Sequence, residues 1–181
     1  MFNWREERRR REVIATKLYE DLVAQARTPA FYLTYGVPDS MLGRFEMVCL
    51  HAYLLFRRLG RNDAAGRELA QAVHDLMFAD FDRTLREQGI GDMGIGKRVK
   101  ELARNLYGRI AAYETGLAGS ADQMSAALRR NLYASVDATD AQVAQMIDYI
   151  EAAAALLDAQ PAADLMAGQV RFPSPPAKQE G

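Results

Sequence analysis

The chain has 181 residues, 49% of them hydrophobic, enough for one domain with a buried core. A formal net charge of -1 excludes the strongly basic balance of a general nucleic-acid binder, and no specific DNA recognition is expected. A single cysteine, Cys49, excludes an intrachain disulfide and a cysteine-based zinc site.

The first stretch, "MFNWREERRRREV", carries no apolar run behind its charges, so it does not read as a secretory signal. Its three glutamates also argue against a transit peptide. Ile14, Leu18 and Leu22 follow at spacing four, a helical stripe. Residues 1–28 are therefore expected to form an amphipathic helix, packed or membrane-facing. Phe2 and Trp4 beside Arg8 to Arg11 suit an anionic membrane surface, and equally a local cap over the core. The segment "TPAFYLTYGVPDS" breaks the helical pattern with Pro29, Gly36 and Pro38. It is too aromatic for a loose linker and should pack against the helices.

"SMLGRFEMVCLHAYLLFRRLG" is apolar nearly all round between Met47 and Phe56, which predicts the most buried helix, with Gly60 as its C-terminal cap. The apolar run "MVCLHAYLLF" inside it has about half the roughly 20 residues of a membrane span. The next helix should run from about Asp63 to Gln88. Leu69, Val73 and Leu76 share one side of it, and Phe78, Phe81 and Leu85 lie nearly opposite. It must pack against different neighbours at its two ends or leave an aromatic patch free.

"GIGDMG" fits the spacing of a dinucleotide fingerprint, but that motif needs a strand before its first glycine. Here a helix precedes it. Gly89 is expected to end that helix in a left-handed conformation, and Asp92 to cap the next. The glycines leave amides that an anion or a partner backbone could approach. The helix that follows places Val99, Leu102, Leu106, Ile110 and Tyr113 on one face and Lys97, Lys100 and Arg104 on another. Two capping boxes, Ser120 to Gln123 and Thr139 to Gln142, announce two more helices. Pro161 stops the last long one, and the proline-rich residues 161–181 are expected to be flexible. No strand pattern survives. The fold class is all-α, a single-domain helical bundle of about six helices, with its main domain over residues 29–160.

Catalytic constellations are missing. His51 and His74 are not set in a metal-binding helix motif, and Cys49 and His51 lie about 200° apart on a helix. Cys49 reads as a core residue, His51 as a packed or hydrogen-bonded one, and His74 as a boundary residue. Asp80 and Asp82 read as partners for salt bridges.

The sequence nevertheless resembles the ubiquinol–cytochrome c chaperone family over most of residues 30–135. The resemblance is carried by Val37, Pro38, Asp39, Gly43, Arg44 and Phe45 in "YGVPDSMLGRF". It continues through Asp82, Arg83, Leu85, Arg86, Glu87, Gly89, Gly91 and Asp92, then Gly96, Lys97, Lys100, Tyr107, Gly108 and Arg109. "LRRNLYA" fits the later family helix. Ser40 replaces the usual Thr and Ile90 the usual Val.

The resemblance implies an assembly chaperone rather than an enzyme, with no cofactor. It implies binding of newly made cytochrome b and promotion of bc1 complex assembly. Mitochondrial relatives work at the inner membrane near the ribosome exit tunnel with a small partner protein. A bacterial relative would be cytoplasmic and peripheral at the inner membrane. Joined to the residues, this makes Phe78, Phe81 and Leu85 a candidate apolar client surface. Arg83, Arg86, Gly91, Asp92, Gly94, Lys97, Lys100 and Arg104 would form its polar and basic rim, facing client, lipid phosphate or ribosomal RNA. Two rival readings remain: a haem- or quinone-binding carrier, suggested by the Met- and Tyr-rich core, and an anion- or nucleotide-dependent regulator using the glycine loop.

Overall fold

Side-chain caps punctuate the chain where the sequence places Ser, Thr and Asp ahead of apolar runs. The computed structural model describes residues 3–89 and 92–176, except for the side chains at 92–96, 98–100, 102 and 103. All described elements are helices: α1 (Trp4–Ala26), α2 (Pro29–Leu33), α3 (Met41–Gly60), α4 (Ala64–Glu87), α5 (Asp92–Ala118), α6 (Ala121–Arg130), α7 (Asp140–Ala159) and α8 (Ala162–Met166). Six have ten residues or more, as the pattern predicts; α2 and α8 are single turns. Ser40 accepts the Gly43 amide at 3.1 Å to start α3, and Asp63 accepts the Gly66 amide at 3.1 Å to start α4. Both predicted capping boxes form, on Ser120 with Gln123 and on Thr139 with Gln142.

Helix α4 ends as expected, with Gly89 at φ 75°. Gly60 differs from expectation. It is the last residue of α3 and does not adopt positive φ; Arg61 follows as the cap.

Helix α3 is the axis. Met47 to Leu55 are buried without interruption, so no face of that stretch meets solvent. α1, α4, α5 and α7 surround it. α1 and α4 run side by side in the same direction, joined by Arg11–Glu68 at 2.5 Å and by the Tyr19 hydroxyl donating to Asp80 at 2.7 Å. α3 and α4 run oppositely, with Phe45 against Phe81 at one end and Phe56 near His74 at the other. The aromatic segment after α1 packs down as expected, with Phe31, Tyr35 and Val37 buried.

The two-sided reading of α4 is corrected. Leu69, Val73, Met77, Phe81 and Leu85 are all buried and form one stripe at spacing four. Four residues advance a helix by a full turn plus about 40°, so such a stripe winds gradually around it. Met77 joins the two halves. Phe81 and Leu85 are therefore core rather than free surface, and Phe78 is half-buried.

The proline-rich end also differs from expectation as far as Pro176. Residues 161–176 turn back through α8 and Gly168, at φ 82°, and lie across α1, α3 and α7, with Leu165 and Pro175 buried. Side chains of Gln25 and Gln160 hold this segment, which composition does not reveal.

Two glycines separate steric from conformational need. A Cβ on Gly43 would lie 1.9 Å from the Pro38 carbonyl oxygen, a backbone atom that cannot move aside. A Cβ on Gly89 would meet nothing within 4 Å, so only its positive φ matters. Gly43→Ala should cost about 1–3 kcal/mol, as overpacking does. Gly89→Ala should cost about 1 kcal/mol, with Asn better tolerated. Urea melting of the variants measures both; a Gly43→Ala chain as stable as the parent would contradict the close approach.

Candidate functional site

Three stretches far apart in sequence meet at one end of α3. Asp39 and Arg44 pair across the α3 N-terminus at 2.8 Å. One residue on, the Phe45 ring rests on Phe81 of α4, centroids 4.8 Å apart. The Arg109 guanidinium of α5 sits over the same Phe45 ring, 5.8 Å from its centroid. Arg109 also forks onto Glu46, its Nε donating to Oε2 at 2.6 Å while Nη2 engages Oε1. Glu46 is 1% exposed. A carboxylate so deep is tolerable only with a bidentate cation, and breaking such a pair typically costs about 3–5 kcal/mol. Glu46 was not singled out from the sequence. The signal available was an acidic residue at the start of the most apolar helix.

Exposed apolar and basic groups lie on the first turn of α3 and along α4 and α5. Met41 and Leu42, on the first turn of α3, are about half exposed. Arg44, Lys97, Arg104 and Tyr107 are exposed. Arg83 pairs with Asp80, and Arg86 with Asp82 at 2.9 Å, so the expected aspartate salt bridges form on α4 itself. Phe78 lies between His74 and Phe81, at 4.6 and 5.7 Å, leaving part of its edge at the surface. Of the other rim residues, Gly91 lies outside the described residues, as do the side chains of Asp92 and Lys100 and the exposure of Gly94. Phe2 lies outside them too, whereas Trp4 is 65% exposed and stacks under Arg8 at 5.9 Å.

The remaining candidates are structural. Cys49 is fully buried, and burial followed by the nearby Glu46 charge pushes its thiol well above the ordinary range. His74 is half-buried beside Asp75, Nδ1 to Oδ1 3.3 Å. His51 is fully buried. Its Nδ1 lies 2.8 Å from the Met47 carbonyl, which can only accept, so Nδ1 carries the proton. Nε2 then accepts from the Tyr149 hydroxyl at 2.8 Å, and that oxygen in turn accepts from Gln25 at 3.0 Å. Burial lowers the His51 pKa to about 4, against the single raising effect of the Met47 bond.

Rival chemistries find no support in this arrangement. A helix, α4, stands where a dinucleotide fingerprint needs a strand. Met47, Met77, Met124 and Met146 and the rings of Tyr53, Tyr113 and Tyr133 are packing residues of one continuous core. Among the described residues no group of three or more His, Cys, Asp or Glu side chains could hold a metal ion.

Fold and surface thus define an all-α protein whose distinctive construction is an apolar and basic junction braced by a buried ion pair. The profile of the ubiquinol-cytochrome C chaperone family matches residues 33–172, and the chain belongs to that family. A crystal structure of the Cbp3 homolog from Brucella abortus is 37% identical, with a TM-score of 0.85 and 94% of each chain covered. Ubiquinol-cytochrome-c reductase complex assembly factor 1 of Xenopus laevis is 20% identical over 155 residues, 86% of this chain and 78% of that protein. The mitochondrial protein CBP3 of Saccharomyces cerevisiae is 25% identical over 166 residues. The match takes 90% of this chain but spans only 50% of the yeast protein.

The His51 network gives a pH dependence of known sign. The folded pKa of about 4 lies below the unfolded value of about 6.5, so protonation favours unfolding. This contribution is complete above about pH 6.5 and is lost as pH falls towards 4, amounting to about 3 kcal/mol. His51→Gln should be less stable at pH 7 and show a shallower acid limb between these limits. Urea melts of both proteins across pH 4–7 check this; parallel curves would contradict it.

Proposed function

We propose that this chain is an assembly chaperone for the bc1 complex, and that its client is newly made cytochrome b before its haems and partner subunits are in place. The observation that supports this reading most is the convergence at the α3 N-terminus. The family-motif residues Asp39, Arg44, Phe45 and Arg109 meet there, with Phe81 and Glu46 as their partners. A client of apolar helices and polar loops calls for an apolar patch with a charged rim. Met41, Leu42 and the open edge of Phe78 supply the patch. Phe81 and Leu85 support it from beneath. On the charge and motif pattern of the sequence, we assign the rim to Lys97, Lys100 and Arg104, with Arg83, Arg86, Gly91, Asp92 and Gly94.

The role in this reading is binding, not catalysis. No helix among the described residues is long and apolar enough to cross a membrane. We place the protein at the periphery of the inner membrane, on the side where cytochrome b is made. The exposed Trp4 and the arginines at 5 and 8–11 would face anionic lipid.

Deleting the gene should lower assembled bc1 complex, read from its haem spectra, while cytochrome b transcripts stay at parental level. A copy with Lys97, Lys100 and Arg104 changed to Glu should fail to restore it. Exposed changes of this kind usually shift stability by less than about 0.5 kcal/mol, so the variant should still fold. Normal bc1 spectra in the deletion strain would remove the chaperone reading.

A further inference from the structure

The segment that follows α8 is held the way a binding protein holds a peptide. Gln160, the C-cap of α7, is 4% exposed, and its backbone carbonyl is fixed by the Arg58 guanidinium at 2.9 Å. Its side-chain amide engages main chain twice. Nε2 donates to the Gln169 carbonyl at 2.8 Å, and Oε1 accepts from the Arg171 amide at 3.1 Å. This is the pattern by which one residue of a parallel strand pairs with the residues on either side of its neighbour. Further along, Gln25 of α1 donates to the Pro173 carbonyl at 2.9 Å. Between the two clamps Phe172 places its ring edge-on to His51, centroids 5.1 Å apart.

Both glutamine clamps engage backbone. Of the strap's side chains, Phe172 meets His51, Arg171 pairs with Asp164 at 3.2 Å, and Val170 and Pro175 pack down. A shallow, open depression lies beside the strap, lined by Asp21, Ala24, Gln25 and Leu156 together with Val170, Arg171 and Phe172 of the strap itself. Pro173, Pro175 and Pro176 stiffen this segment and keep it from coiling into a helix.

We propose that the groove bounded by Gln25, His51, Tyr149 and Gln160 is a binding site for extended peptide segments carrying an aromatic side chain. Residues 169–175 occupy it as an intramolecular stand-in. On the chaperone reading, which this inference rests on for the identity of the visitor, the displacing peptide is an unfolded segment of the client. The site lies away from the junction at the α3 N-terminus and serves a different kind of contact: main chain and one ring, rather than an apolar patch with a basic rim.

The probe is a fluorescein-labelled synthetic peptide with the sequence of residues 168–176, added to the full chain and read by anisotropy. A tethered segment competes at millimolar effective concentration, so the parent protein should bind the probe at least about tenfold more weakly than Phe172→Ala, whose own strap has lost its anchor. Adding Gln160→Ala to Phe172→Ala should abolish the gain, and a probe with Ala in place of its Phe should not bind. Should Phe172→Ala fail to fold, Arg171→Glu, which sets like charge against Asp164 and leaves the core intact, carries the same expectation. A folded strap variant that binds no better than the parent, or a gain that survives Gln160→Ala, would overturn the proposal. Lost bc1 assembly in the deletion strain without probe binding would remove this site and leave the chaperone reading. Probe binding with normal bc1 would keep the site and remove the client as its visitor.

Discussion

Where a helix is buried on every side its polar groups need partners within the protein, and the buried part of α3 carries several. Glu46 takes Arg109 of α5. His51 takes Tyr149 of α7 and, through it, Gln25 of α1. The Tyr53 hydroxyl donates to Glu114 of α5 at 2.7 Å. Arg58 donates to the carbonyls of Leu157 and Gln160 at the end of α7. An unpaired buried polar group costs roughly 1–3 kcal/mol and a buried charge more, so each pairing fixes the register of α3 against a particular neighbour. Apolar packing alone would permit helices to slide by a turn; these bonds do not.

That constraint explains why the surface at the α3 N-terminus can be assembled from distant stretches. Glu46 draws Arg109 inward, Arg109 covers Phe45, and Phe45 seats Phe81. The apolar and basic groups that remain outside are held by a frame in which Glu46 and Phe81 are buried and Phe45 and Arg109 are partly so. At the other end of α3, Arg58 fixes the Gln160 backbone, and Gln160 in turn holds the strap over His51. One helix therefore organises both the proposed client surface, at its N-terminus, and the peptide groove, which runs from His51 at its middle to Arg58 near its C-terminal end.

Much of this fold was legible in the sequence because its signals are local. Capping boxes, the left-handed Gly89 and the unbroken apolar run of α3 each follow from a few neighbouring residues. The motif resemblance also pointed to Phe45 and Arg109 without saying what they touch. What could not be read depends on long-range partners. Met77 converts two apparent faces of α4 into one winding stripe, visible only once α1, α3 and α5 are in place. Phe81 and Leu85 look like a free patch until Phe45 covers one of them. The docking of residues 169–175 rests on two glutamine side chains, one of them 148 positions away from the carbonyl it binds. Composition marks such a segment only as proline-rich.

Where the client sits is measured most directly by hydrogen exchange of the full chain, alone and with captured apocytochrome b. A client on the proposed surface adds protection in the first turn of α3, in the C-terminal half of α4 and around Arg104 to Arg109 of α5. Protection confined to α6 and the outer face of α7, with these three stretches unchanged, would contradict that placement.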